Sequence, residues 1–314
     1  MKRVNLQTAA SLLKENDRFV IVTHANPDGD TLGSAFALLR ALKKLGKTAK
    51  VINEKPIPER FDFIKAESDS FEGGETVIAV DIADKKLMGA LEDEYSDGVL
   101  LCVDHHQSHR DFAENILLDG EAAAACEIVF ILIKELGVEI DSDIATALYT
   151  GISTDTGCFR YSNVTVNTHM YAGELIEKGA DHVKSDTLMF ETKSMSYFIL
   201  QKISIEKMEV LFEGRVAIVS LTKEMFEKSG AEESCADAIK SIPRQIEGVA
   251  IGVTLREDDD VFHVSLRTHA PYDASEICRR FGGGGHARAA GCEFRLSEEE
   301  TKKELISVLE EYFR

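Results

Sequence analysis

Residues 19–46 read FVIVTHANPDGDTLGSAFALLRALKKLG, and this stretch decides the fold class. Phe19 to Thr23 is a short apolar and β-branched run, the kind that fills a strand buried on both faces. The loop that follows holds His24, Asp28 and Asp30 around Pro27 and Gly29, which predict a chain curling into a helix N-terminus. From Thr31 to Leu45 the pattern becomes helical: Leu32, Phe36, Leu39 and Leu42 share a face, and Gly46 closes the helix. Strand, polar loop and amphipathic helix, in that order, make the repeating unit of a parallel sheet covered by helices.

The unit recurs outward from this stretch. TVIAV ends at Val80, VLLCV ends at Val103, and TAKVI, up to Ile52, supplies a fourth strand. Helical patterns follow at Ala122 to Leu136, Ile144 to Ile152 and Val166 to Lys178. A polar helical stretch near Asp186 to Ile205 reads as a connector. Beyond it the pattern changes. Lys207 to Phe212 and Arg215 to Leu221 flank Glu213-Gly214 as a hairpin, and Val249 to Arg256 and Val261 to Thr268 flank an acidic turn as another. A helix at Ala274 to Phe281, the run GGGGH, a strand around Cys292 to Leu296 and a charged final helix follow. The expected class is α/β: a parallel-sheet domain with helices on both faces over 1–185, a helical linker over 186–206, and a smaller α+β domain with a mostly antiparallel or mixed sheet over 207–314.

The 314 residues, 44% hydrophobic and 29% charged, fit two globular domains at roughly 150 residues each. Thirty-six basic against fifty-five acidic residues leave a formal charge of −19, which disfavours coating a long polyanion. No apolar stretch approaches the roughly 20 residues of a bilayer span, and MKRVNLQTAASLL lacks a secretory pattern, so a cytoplasmic location is expected. Six cysteines (Cys102, Cys126, Cys158, Cys235, Cys278 and Cys292) form no CxxC pair and read as reduced, structural thiols.

The three clearest strands are each followed at once by a ligand-type residue: His24, Asp81 and Asp104. Ligands bind outside the carboxyl ends of strands in an open parallel sheet, so three separate stretches deliver polar groups to one rim. Any single acidic residue there could merely cap a helix, as Asp30 could before Thr31. Together they call for more. VDHHQSH adds His105, His106 and His109, so that four of the nine histidines lie in these loops, and adjacent histidines have little reason to share a core. GISTDTGCFRYSN contributes Asp155 in a turn after a helix. The donors are all carboxylate and imidazole, enough for two ions sharing an Asp. Such a set favours Mn²⁺, with Mg²⁺ or Fe²⁺ as alternatives, over structural zinc. Paired ions of this kind serve phosphoester hydrolysis. In FGGGGHARAAG, residues 281–291, successive glycines can expose backbone N–H groups to an anion, with His286 and Arg288 as side-chain donors and Arg267 as a further cation.

HANPDGD, VDIAD, VDHHQSH, GISTDTGCFRYSN and FGGGGHARAAG resemble, in order and spacing, the DHH/DHHA1 phosphoesterases, and the length resembles the nanoRNase and 3′-phosphoadenosine 5′-phosphate phosphatase branch. The resemblance spans nearly the whole chain. It implies that His24, Asp28 and Asp81 hold a first ion and Asp30, Asp81, His105 and Asp155 a second, with Asp81 shared. It further implies that Asp104 holds and polarises its neighbours and that His106 faces the scissile phosphate. Arg267, Gly284, Gly285, His286 and Arg288 would bind the far end of a substrate in an interdomain cleft. The expected substrates are short single-stranded oligonucleotides and the bisphosphorylated nucleotide, with a homodimer as the family expectation. Two departures stand out. The third motif often reads DHH-x-Ser-Asn, where this chain has His109, and Lys85-Lys86 stand where an arginine is common after Asp81. The alternatives are a single-strand DNA exonuclease of the same superfamily, a manganese pyrophosphatase, a cyclic dinucleotide phosphodiesterase and a non-catalytic nucleotide-binding regulator.

Overall fold

The computed structural model describes residues 1–313. The chain divides into two compact units, Met1–Thr192 and Lys193–Arg314. In the first, β1 (Lys2–Arg3), β2 (Phe19–Val22), β3 (Ala49–Ile52), β4 (Thr76–Val80), β5 (Val99–Asp104) and β6 (Asn115–Leu118) form one sheet in the order β1-β6-β5-β4-β2-β3. Every pairing in it is parallel.

Alternation along the strands sorts side chains to two faces. Phe19, Ile21, Ile78, Val80, Leu101 and Val103 enter the larger core, with apolar residues of α1 (Leu6–Glu15), α2 (Gly29–Lys44), α3 (Ala125–Leu136), α4 (Ser142–Asp155) and α5 (Val166–Glu177). Val20, Val22, Val77, Ala79 and Cys102 enter a smaller core closed by Ile82, Met88 and Tyr95. Cover on both faces is why these strands read as unbroken apolar runs. Each fully buried Phe, Leu or Ile contributes roughly 1.5–3 kcal/mol relative to exposure. No helix among the described residues is long and apolar enough to cross a membrane.

In the second unit, β7 (Glu209–Leu211), β8 (Val216–Leu221), β9 (Ile251–Asp258), β10 (Val261–Thr268), β11 (Gly284–His286) and β12 (Ala289–Phe294) form a mixed sheet in the order β11-β12-β10-β9-β8-β7. Only β8 and β9 run parallel among these pairs. α6 (Met195–Glu206), inside the stretch read as a connector, buries Leu200 with Leu221, Met225 and Ile239. α7 (Ala274–Arg279) and α8 (Glu298–Phe313) cover the sheet through Ala274, Ile277, Leu305 and Leu309.

Several boundaries differ from the sequence expectation. The strand expected around Cys292 to Leu296 begins earlier, at Ala289, because it pairs with β10 on one side and with the glycine segment on the other. The helix expected from Ala122 starts at Ala125, since residues before it turn to present their backbone to the rim.

Candidate metal centre

The strand order places β4 between β2 and β5, so the residue after β4 stands between those after its neighbours. Ala79 pairs with Val22 and Val80 with Val103, which sets Asp81 beside both His24 and Asp104. The Asp81 N–H donates to the Val103 carbonyl at 2.9 Å, and its φ of 57° lies in the left-handed region that non-glycine residues seldom adopt. Such a conformation costs of order 1–3 kcal/mol and persists where surroundings over-determine it.

Two donor sets meet on this one carboxylate. Asp81 Oδ2 lies 3.6 Å from His24 Nε2, which is also 3.6 Å from Asp28 Oδ1. Asp81 Oδ1 lies 3.5 Å from His105 Nε2, which in turn is 3.8 Å from Asp30 Oδ2 and 3.7 Å from Asp155 Oδ2. These separations exceed hydrogen-bond length. They suit atoms sharing a cation, since donors each about 2.1–2.2 Å from one ion stand roughly 3.0–3.8 Å apart as the angle between them opens from about 90° to about 120°. Asp81 is only 4% exposed and its Oδ1 has no hydrogen-bond partner among the described residues, a costly state for a carboxylate oxygen that a cation would relieve. The residues therefore fit a metal centre: three groups, His24–Asp28–Asp81, Asp30–His105–Asp155 and Asp81–His105–His106, could each hold an ion.

Local folding aims each donor. Asp28, not Asp30, is the N-cap of α2, accepting from Asp30 N and Thr31 N at 3.0 and 3.1 Å. Asp30 is then released to face inward, where the first two N–H groups of α3, from Ala125 and Cys126, donate to its oxygens at 2.6 and 2.9 Å. Gly151 permits this approach, because an added Cβ would lie 3.0 Å from Asp30 Oδ1. Asp155, expected in a turn, is the last residue of α4. His105 Nδ1 donates to the Ala122 carbonyl at 3.2 Å, which leaves Nε2 as the lone-pair nitrogen facing the carboxylates. Behind that carbonyl stand two residues the sequence reading passed over. Asn163 donates to the carbonyls of Ala123 and Asp155 at 3.0 and 3.2 Å, and buried Glu127 accepts from Ala123 N at 3.3 Å. An acid inside the apolar run of α3 was the available signal for Glu127.

The site is charged against itself without cations. Burial, reinforced by Asp81 and Asp155, raises Asp30 well above the carboxylate range. Burial also raises Asp155 to about 7, helped by Asp81 and Asp28 and opposed by His105 and His106. Burial would depress His24 and His105, but the surrounding carboxylates overcome it and hold each imidazole at about 10. Protons thus occupy places that divalent cations can take.

Asp104 is fully buried between two imidazoles: His106 Nδ1 donates to Oδ1 at 2.8 Å and His109 Nδ1 to Oδ2 at 2.6 Å. Burial alone would raise Asp104, yet these hydrogen bonds hold it below the usual range. The Asp104 hydrogen bond is also the main cause of a raised His106, whose side chain is 38% exposed.

In the second unit the glycine run is not a free loop. Gly284, Gly285 and His286 form the exposed edge strand β11, paired with Gly291, Ala290 and Ala289. Gly285 has a φ of 142°, and a Cβ there would lie 2.7 Å from the Ala289 carbonyl oxygen. Arg267 pairs with Ala289 and Ala289 with His286, so the three stand in one row across β10, β12 and β11. Directly opposed residues point to one face, and the small Ala289 leaves room between the two larger side chains. Arg288 Nη1 donates to the Tyr272 carbonyl at 2.5 Å.

Known proteins resemble the whole of this arrangement. Residues 18–152 match the DHH family N-terminal domain and residues 214–314 the DHHA1 domain. The chain is 36% identical, over 86% of its length and 82% of the relative's, to the bifunctional oligoribonuclease and PAP phosphatase NrnA of Thermus thermophilus. It is 27% identical to the Bacillus subtilis protein of that name, over 88% of each chain. The crystal structure of an exopolyphosphatase-related protein from Bacteroides fragilis superposes with a TM-score of 0.85 at 27% identity, covering 98% of this chain and 96% of that one. A parallel sheet whose central strand presents a carboxylate shared by two donor sets, followed by a DHHA1 unit, places this chain in the DHH family of phosphoesterases.

Proposed function

We propose that this protein is a phosphodiesterase and phosphomonoesterase that hydrolyses short oligoribonucleotides to nucleoside monophosphates and 3′-phosphoadenosine 5′-phosphate to AMP. The observation that carries this reading is the place of Asp81, whose Oδ2 lies 3.6 Å from His24 Nε2 and whose Oδ1 lies 3.5 Å from His105 Nε2, in a chain 36% identical to an enzyme named for both activities. In this reading 1–185 is the catalytic domain, 186–206 a helical linker and 207–314 the substrate-binding domain. Six unpaired cysteines suit a reducing compartment, here the cytoplasm.

His24, Asp28 and Asp81 would hold one Mn²⁺, and Asp30, Asp81, His105 and Asp155 a second. When bound, such a pair supplies Lewis-acid polarisation of the phosphate and a more acidic water. The chain's own groups do the rest. Asp104 fixes the His106 ring through Nδ1, leaving Nε2 to donate to a phosphate oxygen as negative charge grows or to protonate the departing oxygen. Arg267, His286, Arg288 and the amides of Gly284 and Gly285 would bind a substrate phosphate. The charge of −19 offers no extended basic track, which favours a substrate a few nucleotides long.

A single panel tests the proposal. Mn²⁺-supplemented protein is offered a 5′-phosphorylated dinucleotide, the bisphosphate, pyrophosphate, a cyclic dinucleotide and a long single strand of DNA, with products identified by mass. Nucleoside monophosphates from the dinucleotide and phosphate from the bisphosphate, each faster than turnover of the others, are expected. No product from either of the first two overturns it.

A further inference from the structure

We propose that His109 is a positioning residue for hydrolysis: by donating its Nδ1 proton to Asp104 it locks the carboxylate that orients His106. The inference rests on the reading that His106 faces the scissile phosphate, and it assigns a task to the position where this chain departs from the DHH-x-Ser-Asn pattern.

The three side chains form one line, with His109 Nδ1 at 2.6 Å from Asp104 Oδ2 and His106 Nδ1 at 2.8 Å from Oδ1. A carboxylate between two imidazole nitrogens at these distances is the acceptor, so both nitrogens donate. The side chains of His109 and Asp104 are wholly buried, and only the His106 end of the line reaches the surface. His109 Nε2 is buried with no partner among the described residues. A proton on it would be a desolvated donor without an acceptor, whereas a proton on Nδ1 meets Asp104 Oδ2 at 2.6 Å, which favours the Nδ1–H tautomer.

The ring itself is held on several sides. It stacks on Phe112, with centroids 5.6 Å apart and planes 29° from parallel. Its backbone N–H donates to the His106 carbonyl at 3.0 Å, and the next residue, Arg110, donates to Ala83 at 2.7 Å. With one oxygen engaged by each imidazole, the Asp104 carboxylate cannot rotate without breaking both bonds. Removing the His109 donor leaves a buried oxygen unpaired and the carboxylate free to turn, and the aim of His106 Nε2 turns with it. Asparagine preserves the arrangement in chemical terms. Its Nδ2 stands the same number of bonds from Cα as the histidine Nδ1 and can donate the same hydrogen bond, whereas leucine fills a similar volume with no donor.

The test compares wild type, His109→Asn, His109→Leu and His106→Ala on the 5′-phosphorylated dinucleotide. His109→Leu should lower kcat about 10- to 100-fold, the usual loss when a group supporting an active residue is removed. KM should stay within about threefold, because substrate contacts in the ground state persist. His109→Asn should return kcat to within about threefold of wild type, although it loses the same stacking on Phe112. In Mg²⁺-supplemented wild-type protein, long-range nitrogen-15 correlation should show His109 protonated at Nδ1 and bare at Nε2. An Nε2–H tautomer, an unchanged kcat in His109→Leu, or an asparagine variant no better than the leucine one overturns the proposal. The nitrogen spectrum decides even if a variant fails to fold. Wild-type kcat in His106→Ala refutes the role of His106 itself, while a low kcat there beside an unaffected His109→Leu strikes this inference alone.

Discussion

The rim of the first sheet and the glycine segment of the second, both proposed to meet a phosphate, are built in opposite ways. At the rim, Asp81 and Asp104 are buried at the ends of strands, and Asp30 and His105 each take a hydrogen bond with backbone from a different element. In the second unit Gly284–His286 is an exposed edge strand whose shape depends on an absent side chain at Gly285. The difference follows from the tasks. Donors to a shared cation must sit within a few tenths of an ångström of fixed points, which requires rigid elements and supporting bonds. Binding a phosphate needs only a concave set of N–H groups and a cation.

If that contrast is right, damage at the rim should destroy turnover and damage at the glycine segment should weaken binding. The largest effect is expected for Asp81→Ala, which should cut kcat by at least about 10³-fold because one side chain serves both donor sets. Calorimetry should show fewer Mn²⁺ bound per chain, and near-normal stoichiometry would break the shared-ligand assignment. His106→Ala comes next, with kcat down about 10²- to 10³-fold, the loss typical of a transition-state donor. Its Mn²⁺ stoichiometry should be intact.

The rim should also respond to pH through its imidazoles. His24 and His105 are held at about 10 in the cation-free site, so between pH 6 and 8 each must lose a proton when its ion binds. Protons compete, so Mn²⁺ affinity should fall as pH falls, by about tenfold per pH unit for each proton displaced. Titration calorimetry over that range, in buffers of different ionisation enthalpy, measures it directly. An affinity flat with pH would mean the imidazoles are not ligands. The smallest effect is expected for Gly285→Ala. Its φ of 142° and the nearby Ala289 carbonyl force the edge strand to shift, which should raise KM about tenfold. kcat and Mn²⁺ affinity should stay near wild type, and a selective loss of kcat would erase the distinction between the two regions.

Much of the rim was legible one element at a time. FVIVT, TVIAV and VLLCV end within a residue of the observed strands, and the ligand-type residues after them do converge. Short-range signals sufficed there, because unbroken β-branched runs and Pro-Gly loops carry their own conformational preference. Edge pairings were not legible. β1 has two residues and β6 four, too few for a periodicity, and they pair with each other across more than a hundred residues of chain. β11 was hidden for another reason: glycine has little strand preference, and only the partner strand β12 draws Gly284–His286 into a sheet.

By itself the sequence determined which residues could carry the chemistry and which local elements would present them, since hydrophobic period, turn residues and donor type are properties of neighbouring positions. Which of those residues stand together was implied beforehand only by the family resemblance, and the tertiary structure supplies the physical reason. Chain order runs β2, β3, β4, β5, yet the sheet sets β4 between β2 and β5, and that neighbour relation makes Asp81 the carboxylate common to both donor sets. It also turned His109 from a departure in a motif into the buried partner of Asp104. Strand order and burial are set by long-range packing of both sheet faces, which no window of neighbouring residues contains.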